Sequence, residues 1–222
     1  MSVDYLNDKQ WKAKRKTVIT ATESASILGL NPWKTAAKMW HDKTSGNIFV
    51  PNSYIKVGLL LEEVVVKATN EVMNMNFELY ENGDKKAFYV NENLRLGATP
   101  DAHDKKENVL LECKTTKPFN IYKWAYTPPP YYIFQLQTQM ICTGHEKGYL
   151  AIMGTDLSQK SEELDLPLII FEVHRCNKLE ALLKERLDVF WQTVKENKRI
   201  ITPKIVKDKA NLLNSLTYRK VL

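Results

Sequence analysis

The chain has 222 residues, 44% of them hydrophobic, with 32 lysines and arginines against 26 acids and a formal net charge of +6. Such a length fits one large domain with a real core and leaves little room for a second domain. No apolar run approaches the roughly 18 residues of a membrane span, and the opening MSVDYLNDKQWKAKRK has no apolar signal-peptide centre, so a soluble, cytoplasmic protein with no membrane partner is expected.

Between Lys9 and Lys16 the chain carries Lys9, Lys12, Lys14, Arg15 and Lys16 with no acid and with Trp11 among them. The run is either a solvated, frayed terminus or a phosphate-contacting arm. In TATESASILGLNPW, Thr20 and Glu23 have the spacing of a capping box, which predicts a short helix ended by Gly29. A second helix is expected from Pro32 to His41. From Ser53 to Met73 apolar residues recur at helical spacing, the longest such signal in the first half. Glu62 shares a side of this helix with Gly58, four residues earlier, whereas Glu63 reads as solvated.

The pattern then turns to short alternating runs: FELYE, the turn NGD, KAFYV, LRLGATPD, the turn DKKEN and VLLECKTT. Asn82-Gly83 is a strong hairpin signal, and a small antiparallel sheet of three or four strands is expected here. Pro128, Pro129 and Pro130 lead into a helix over YYIFQLQTQMICTG, followed by the strand-like runs KGYLAIMG and LPLIIFEVHR. Asn177 with Glu180 is a capping pattern that opens a long amphipathic helix reaching Lys198. The segment from about 200 to 222 is a packed tail or a partner-binding segment. Helices, then a central mixed sheet, then helices define an α/β (α+β) arrangement.

Chemistry concentrates in GATPDAHDKKENVLLECKTT. Alternation puts Glu112 and Lys114 on one side of a strand and Cys113 on the other, facing the core. If this strand pairs with the one that Asp101 closes, Asp101 and Glu112 meet at the open end of the hairpin. Two adjacent carboxylates repel unless a cation lies between them, and hard oxygen ligands suit magnesium or manganese. Lys114 would stand beside a water bound to that ion. The plainer reading is an exposed ion pair, worth less than about 1 kcal/mol. Glu62 upstream, and Tyr132, Gln135 and Gln139 on one side of a downstream helix, favour a site.

Taken in order, ITATES with Arg15 seven residues before Thr22, GLLLE ending in Glu62, TPD ending in Asp101, ECK, and YIFQLQ resemble the lambda-exonuclease-like, or YqaJ viral recombinase, family of the PD-(D/E)xK nuclease superfamily. The resemblance implies a restriction-endonuclease-like core, a central mixed β-sheet flanked by helices, in one exonuclease domain over residues 1–222, with 200–222 as a C-terminal tail. It implies that Asp101, Glu112 and the Cys113 backbone carbonyl hold one or two Mg2+ or Mn2+ ions, that Glu62 binds or water-bridges them, and that Lys114 positions the attacking water. Gln135 would order the site and contact DNA with support from Tyr132, while Arg15 and Thr22 would bind a 5′-terminal phosphate. Thr22 stands where the best-known relative has serine, which keeps the hydroxyl donor, and Asp101 is followed by alanine instead of glycine.

The activity so implied is digestion of linear double-stranded DNA from its 5′ ends. The products would be 5′-mononucleotides and a 3′ single strand, passed to a single-strand-annealing partner in phage-type recombination, with a trimeric ring by analogy. The rivals are an endonuclease of the same superfamily and a DNA-binding scaffold with a decayed site. Cys113, Cys142 and Cys176 are scattered and odd in number, so they fit neither a disulfide set nor a zinc or iron–sulfur site. Asp104 and Glu107 read as solvated turn residues, His103 as a weak candidate base, and Trp33, Trp40 and Trp124 as packing residues or a duplex-splitting wedge.

Overall fold

The structure, a computed structural model, describes residues 2–46, 53–82, 85–156, 166–198 and 209–222. The turn residues Gly83 and Asp84 and residues 200–208 of the expected tail lie outside this set. Among the described residues no helix is long and apolar enough to cross a membrane.

The basic N-terminal run is helical and not frayed. Strand β1 (Ser2–Leu6) leads into helix α1 (Asp8–Thr17). Asn7 starts α1 by accepting from Gln10 N–H at 3.0 Å, and the Gln10 side chain accepts in return from Asn7 N–H at 3.1 Å, a polar capping box in place of the Ser/Thr version. The expected capping at Thr20 is present: Glu23 accepts from the Thr20 N–H at 3.0 Å, at the junction of β2 (Ile19–Thr20) and α2 (Ala21–Ile27). Helix α3 spans Ala36–Ser45, four residues later than expected, because Asn31 Oδ1 accepts from the N–H groups of Trp33 and Lys34 and holds that stretch in a turn. Helix α4 covers Ser53–Met73 as its periodicity predicts.

The alternating region does not form one small sheet. Its strands, β3 (Glu78–Leu79), β4 (Glu81–Asn82), β5 (Lys85–Asn91), β6 (Leu96–Ala98), β7 (Ala102–Asp104) and β8 (Val109–Thr116), divide between two sheets. The first has the order β1-β5-β6-β2, with β4 on β5. The run LRLGATPD breaks at Thr99-Pro100-Asp101 because Pro100 has no N–H to continue a ladder. Asp101 therefore opens β7 instead of closing the strand before it. The rest of the chain completes the second sheet and packs helices against it: α5 (Pro118–Trp124), α6 (Pro130–Thr143), β9 (Lys147–Gly154), β10 (Leu168–His174), α7 (Asn177–Lys195), α8 (Lys209–Asn214) and β11 (Tyr218–Lys220).

That sheet has the order β11-β10-β9-β8-β7-β3, parallel between β8 and β9 and antiparallel elsewhere. One core lies between α6, α7 and the two sheets and contains Phe134, Leu136, Leu150 and Phe171; a second, with Val65, Val66, Cys113 and Ala151, lies under α4. The architecture is a mixed α/β fold, as expected. Two details differ. The cap residue of α7 is Cys176, without a side-chain cap, while Glu180 pairs with Arg175 at 2.7 Å. The described end of the chain, 209–222, is packed, with Tyr218–Lys220 extending the second sheet.

Candidate active site

The site forms where β7 and β8 meet beneath α6. Their register pairs Ala102 with Leu111, so Asp101 stands opposite Glu112. Asp101 Oδ2 accepts from the Cys113 N–H at 2.8 Å, and its backbone oxygen accepts from Tyr80 N–H at 3.1 Å. Alternation along β8 sends Cys113 into the core under α4 and Glu112 toward α6, where its carboxylate is 0% exposed. Three donors converge on it: Lys114 Nζ and Gln135 Nε2 on Oε1, and Gln139 Nε2 on Oε2. Gln135 and Gln139 reach one carboxylate because they are one helical turn apart. Lys114 Nζ also lies 5.5 Å from the centre of the Tyr132 ring.

Helix α4 supplies Glu62 from the opposite side of β8. The helix comes close to β8 at Gly58, where a Cβ would lie 3.6 Å from Thr115 Oγ1, an ordinary contact that a larger residue would also make. Glu63 points out and pairs with Lys67 at 2.7 Å. Burial, then repulsion from Glu112 and Glu62, pushes the Asp101 carboxyl well above the usual carboxylate range. For Lys114, burial opposes the charge, but Glu112 and Asp101 outweigh it and hold the ammonium above its ordinary value.

Whether these residues suit a metal is decided by their chemistry. Among the described residues no three His, Cys, Asp or Glu side chains stand together as a ready-made ligand set. The half-buried Asp101 and the fully buried Glu112 nonetheless form a pair of hard oxygen donors that repel each other, with Glu62 within Coulombic range. The Gln139 Oε1 next to them is buried without a hydrogen-bond partner among the described residues. A partly hydrated Mg2+ or Mn2+, which needs only one or two carboxylates and keeps several waters, fits this set.

A second cluster gathers around Arg15. Its guanidinium donates to Thr20 Oγ1 and Thr22 Oγ1, at 3.5 Å each, and lies 4.4 Å from the centre of the Trp11 ring. Trp11 Nε1 in turn donates to Thr99 Oγ1 at 2.9 Å, two residues before Asp101. Arg15 and Thr22 are thus brought together and tied to the carboxylate segment through Trp11. The surrounding charges were not legible in the sequence: Glu23 pairs with Lys43 at 2.8 Å and with Lys34 at 3.0 Å, and Lys34 also pairs with Asp42 at 2.9 Å. Burial alone would raise the Glu23 carboxyl, but Lys43 and Lys34 lower it to about 2.

Other candidates find different places. Asp104 is not solvated: it is 3% exposed and accepts from the N–H groups of Asn76, Lys106 and Glu107. His103 meets Tyr80 edge to face, with ring centres 3.7 Å apart, and is not among the groups that shift the Asp101 carboxyl. Trp40 and Trp124 pack against the core, whereas Trp33 is 66% exposed beside Tyr131. Gln137, between the two site glutamines, accepts from the Cys176 N–H at 2.9 Å and joins α6 to the start of α7.

The fold that carries this site is that of the alkaline exonucleases. The chain is similar to a solved alkaline exonuclease from Laribacter hongkongensis, with a TM-score of 0.64 and 19% identity over 92% of this chain and 99% of that one. It is also similar to a phage-related exonuclease from Haemophilus somnus 129PT, with a TM-score of 0.59 and 16% identity over 81% and 94% of the two chains. In sequence it is 33% identical over 172 residues, 72% of its length, to the uncharacterised protein YqaJ of Bacillus subtilis (strain 168). It spans about half of that relative, 51%. The YqaJ-like viral recombinase domain matches residues 10–146, and the chain belongs to that family.

Proposed function

We propose that the protein is a metal-dependent exonuclease that digests linear double-stranded DNA from its 5′ ends, releasing 5′-mononucleotides and leaving a 3′ single strand for a single-strand-annealing partner in phage-type recombination. The observation that carries this reading is the Glu112 carboxylate, withdrawn from solvent, opposite Asp101 and gripped by Lys114, Gln135 and Gln139. Ion pairs of stabilising purpose alone rarely gather so many polar groups at one buried point, because the desolvation cost offsets the gain.

Asp101, Glu112 and the Cys113 carbonyl would hold one or two Mg2+ or Mn2+ ions, with Glu62 binding directly or through water. Such an ion, when bound, polarises the scissile phosphate and lowers the pKa of water. Lys114, kept as an ammonium by the two carboxylates, orients the attacking water and offsets charge that develops on the phosphate. Gln135 and Gln139 fix the Glu112 rotamer, and Tyr132 borders Lys114 on its outer side. Water attacks the phosphorus between the first and second nucleotides, and the 3′-oxygen of the first leaves. The shortened strand therefore again ends in a 5′-phosphate, the group that Arg15 and Thr22 would hold at the next turnover. A ring of three copies would keep the enzyme on its substrate, and sedimentation tests that part.

The test compares linear 5′-phosphorylated duplex, its 5′-hydroxyl form and closed circular DNA, each with magnesium. Digestion of the linear forms alone supports the reading, and cutting of the circle would remove the exonuclease assignment.

A further inference from the structure

Helix α5 follows directly on the strand that carries Glu112 and Lys114. Thr116 ends β8, two residues and about 7 Å beyond Lys114, and Lys117 is the residue from which α5 starts. Phe119, Tyr122 and Tyr126 are 74%, 72% and 86% exposed. Phe119 and Tyr122, three residues apart, share one side of α5, and Tyr126 follows just beyond its end, after Ala125. The opposite side is anchored: Ile121 is buried, and a Cβ at Gly154 would come within 3.0 Å of Ile121 Cγ1 and 3.1 Å of Pro118 Cα. Asn120 Nδ2 also donates to Thr116 Oγ1 at 2.8 Å. Three aromatic rings are therefore held in water by a backbone that is fixed in register with the site.

Burying such rings in the core would be the ordinary outcome, and scattered single apolar residues need no explanation, but three exposed rings on and just after one short helix do. The charges around them indicate what covers them. From Cys113 to His145 the chain has no acid, and its three lysines are Lys114, Lys117 and Lys123. The Lys220 ammonium also lies 6.0 Å from the centre of the Tyr126 ring. A second copy placed on this face would bring like charges together, whereas a polyanion with flat apolar groups neutralises the lysines and covers the rings.

We propose that Phe119, Tyr122 and Tyr126 form a stacking platform for the bases of a single-stranded DNA segment beside the candidate site, with Lys117 and Lys123 meeting its phosphates. The proposal rests on the nuclease reading for the identity of the nucleic acid. Separated bases on this platform would hold a frayed strand in line with β8 and so oppose re-annealing of the duplex end.

The test uses the full chain carrying Lys114→Ala, so that nothing is digested, and a fluorescent short thymidine oligonucleotide beside an abasic oligonucleotide of equal length. Phe119→Ala with Tyr122→Ala should weaken thymidine binding about ten- to hundredfold, the loss expected for stacked bases, and leave abasic binding unchanged. Phe119→Leu with Tyr122→Leu, which keeps apolar area without the rings, should behave alike. Unchanged thymidine binding, or an equal loss on the abasic oligonucleotide, would overturn the platform. A change in sedimentation with binding intact would overturn it too, assigning the face to contact between copies. Digestion of a linear duplex by the protein with Lys114 restored is read separately. Lost stacking without digestion leaves the platform and removes the nuclease reading; digestion with unchanged binding does the reverse.

Discussion

Replacing Glu23 with glutamine removes the one negative charge that Lys43 and Lys34 share at 2.8 and 3.0 Å. The Glu23 side chain is only 12% exposed, so solvent screens the pairs weakly. Its carboxyl is lowered from 4.5 to about 2, burial opposing the shift and the two lysines causing it. A folded pKa below the unfolded one means that the unfolded chain binds more protons between these values, so stability rises with pH there. The contribution is fully present above about pH 4.5 and is lost as pH falls toward 2. At about 1.36 kcal/mol per pH unit this amounts to about 3 kcal/mol. Urea unfolding of wild type and Glu23→Gln from pH 2 to pH 7 measures it. The variant should be less stable by about 2 to 4 kcal/mol at neutral pH, because the buried Lys43 loses its carboxylate and Lys34 keeps only Asp42, and the gap should close in acid. Glu172, which Arg219, His174 and Tyr149 keep ionised to about pH 2 against the cost of burial, adds an acid limb to both proteins and cancels in the difference. Parallel profiles for the two proteins would refute the reasoning.

Lys114→Ala should abolish digestion while DNA binding stays measurable by gel shift; digestion at the wild-type rate would remove Lys114 from the mechanism. Gln139→Leu takes a donor from the buried Glu112 carboxylate, a loss of about 1.5 to 3 kcal/mol, and calorimetry should show a Tm lower by roughly 3 to 12 °C. Arg15→Ala should erase the preference for a 5′-phosphorylated over a 5′-hydroxyl end in rate measurements, and equal slowing on both would make Arg15 a general backbone contact.

What the sequence discloses here is mostly local. The Thr20 and Glu23 capping box, the periodicity of 53–73 and the one-turn spacing of Gln135 and Gln139 each depend on residues within a few positions of one another, and each appears in the fold. The opposition of Asp101 and Glu112 was readable because a short polar turn joins their strands. The division into two sheets was not, since β2 is two residues long and pairs in parallel with β6, far along the chain. Helix α1 was hidden by its charge: ten residues without a buried side chain show no apolar period, and only the Asn7 and Gln10 box marks the start. Helix α5 hides similarly behind Pro118, which reads as a breaker but stands at the first helical turn, where proline is tolerated. The lysines that neutralise Glu23 lie 11 and 20 residues away, and no pattern of spacing announces them.

The central claim is that the buried carboxylates serve hydrolysis at a DNA end. Its most direct measurement is release of acid-soluble nucleotides from a linear 5′-phosphorylated duplex with magnesium, with and without chelator, for wild type and Glu112→Gln. The account predicts 5′-mononucleotides from wild type with metal only, and none from the variant. Metal-independent release, or release by Glu112→Gln at the wild-type rate, would contradict it.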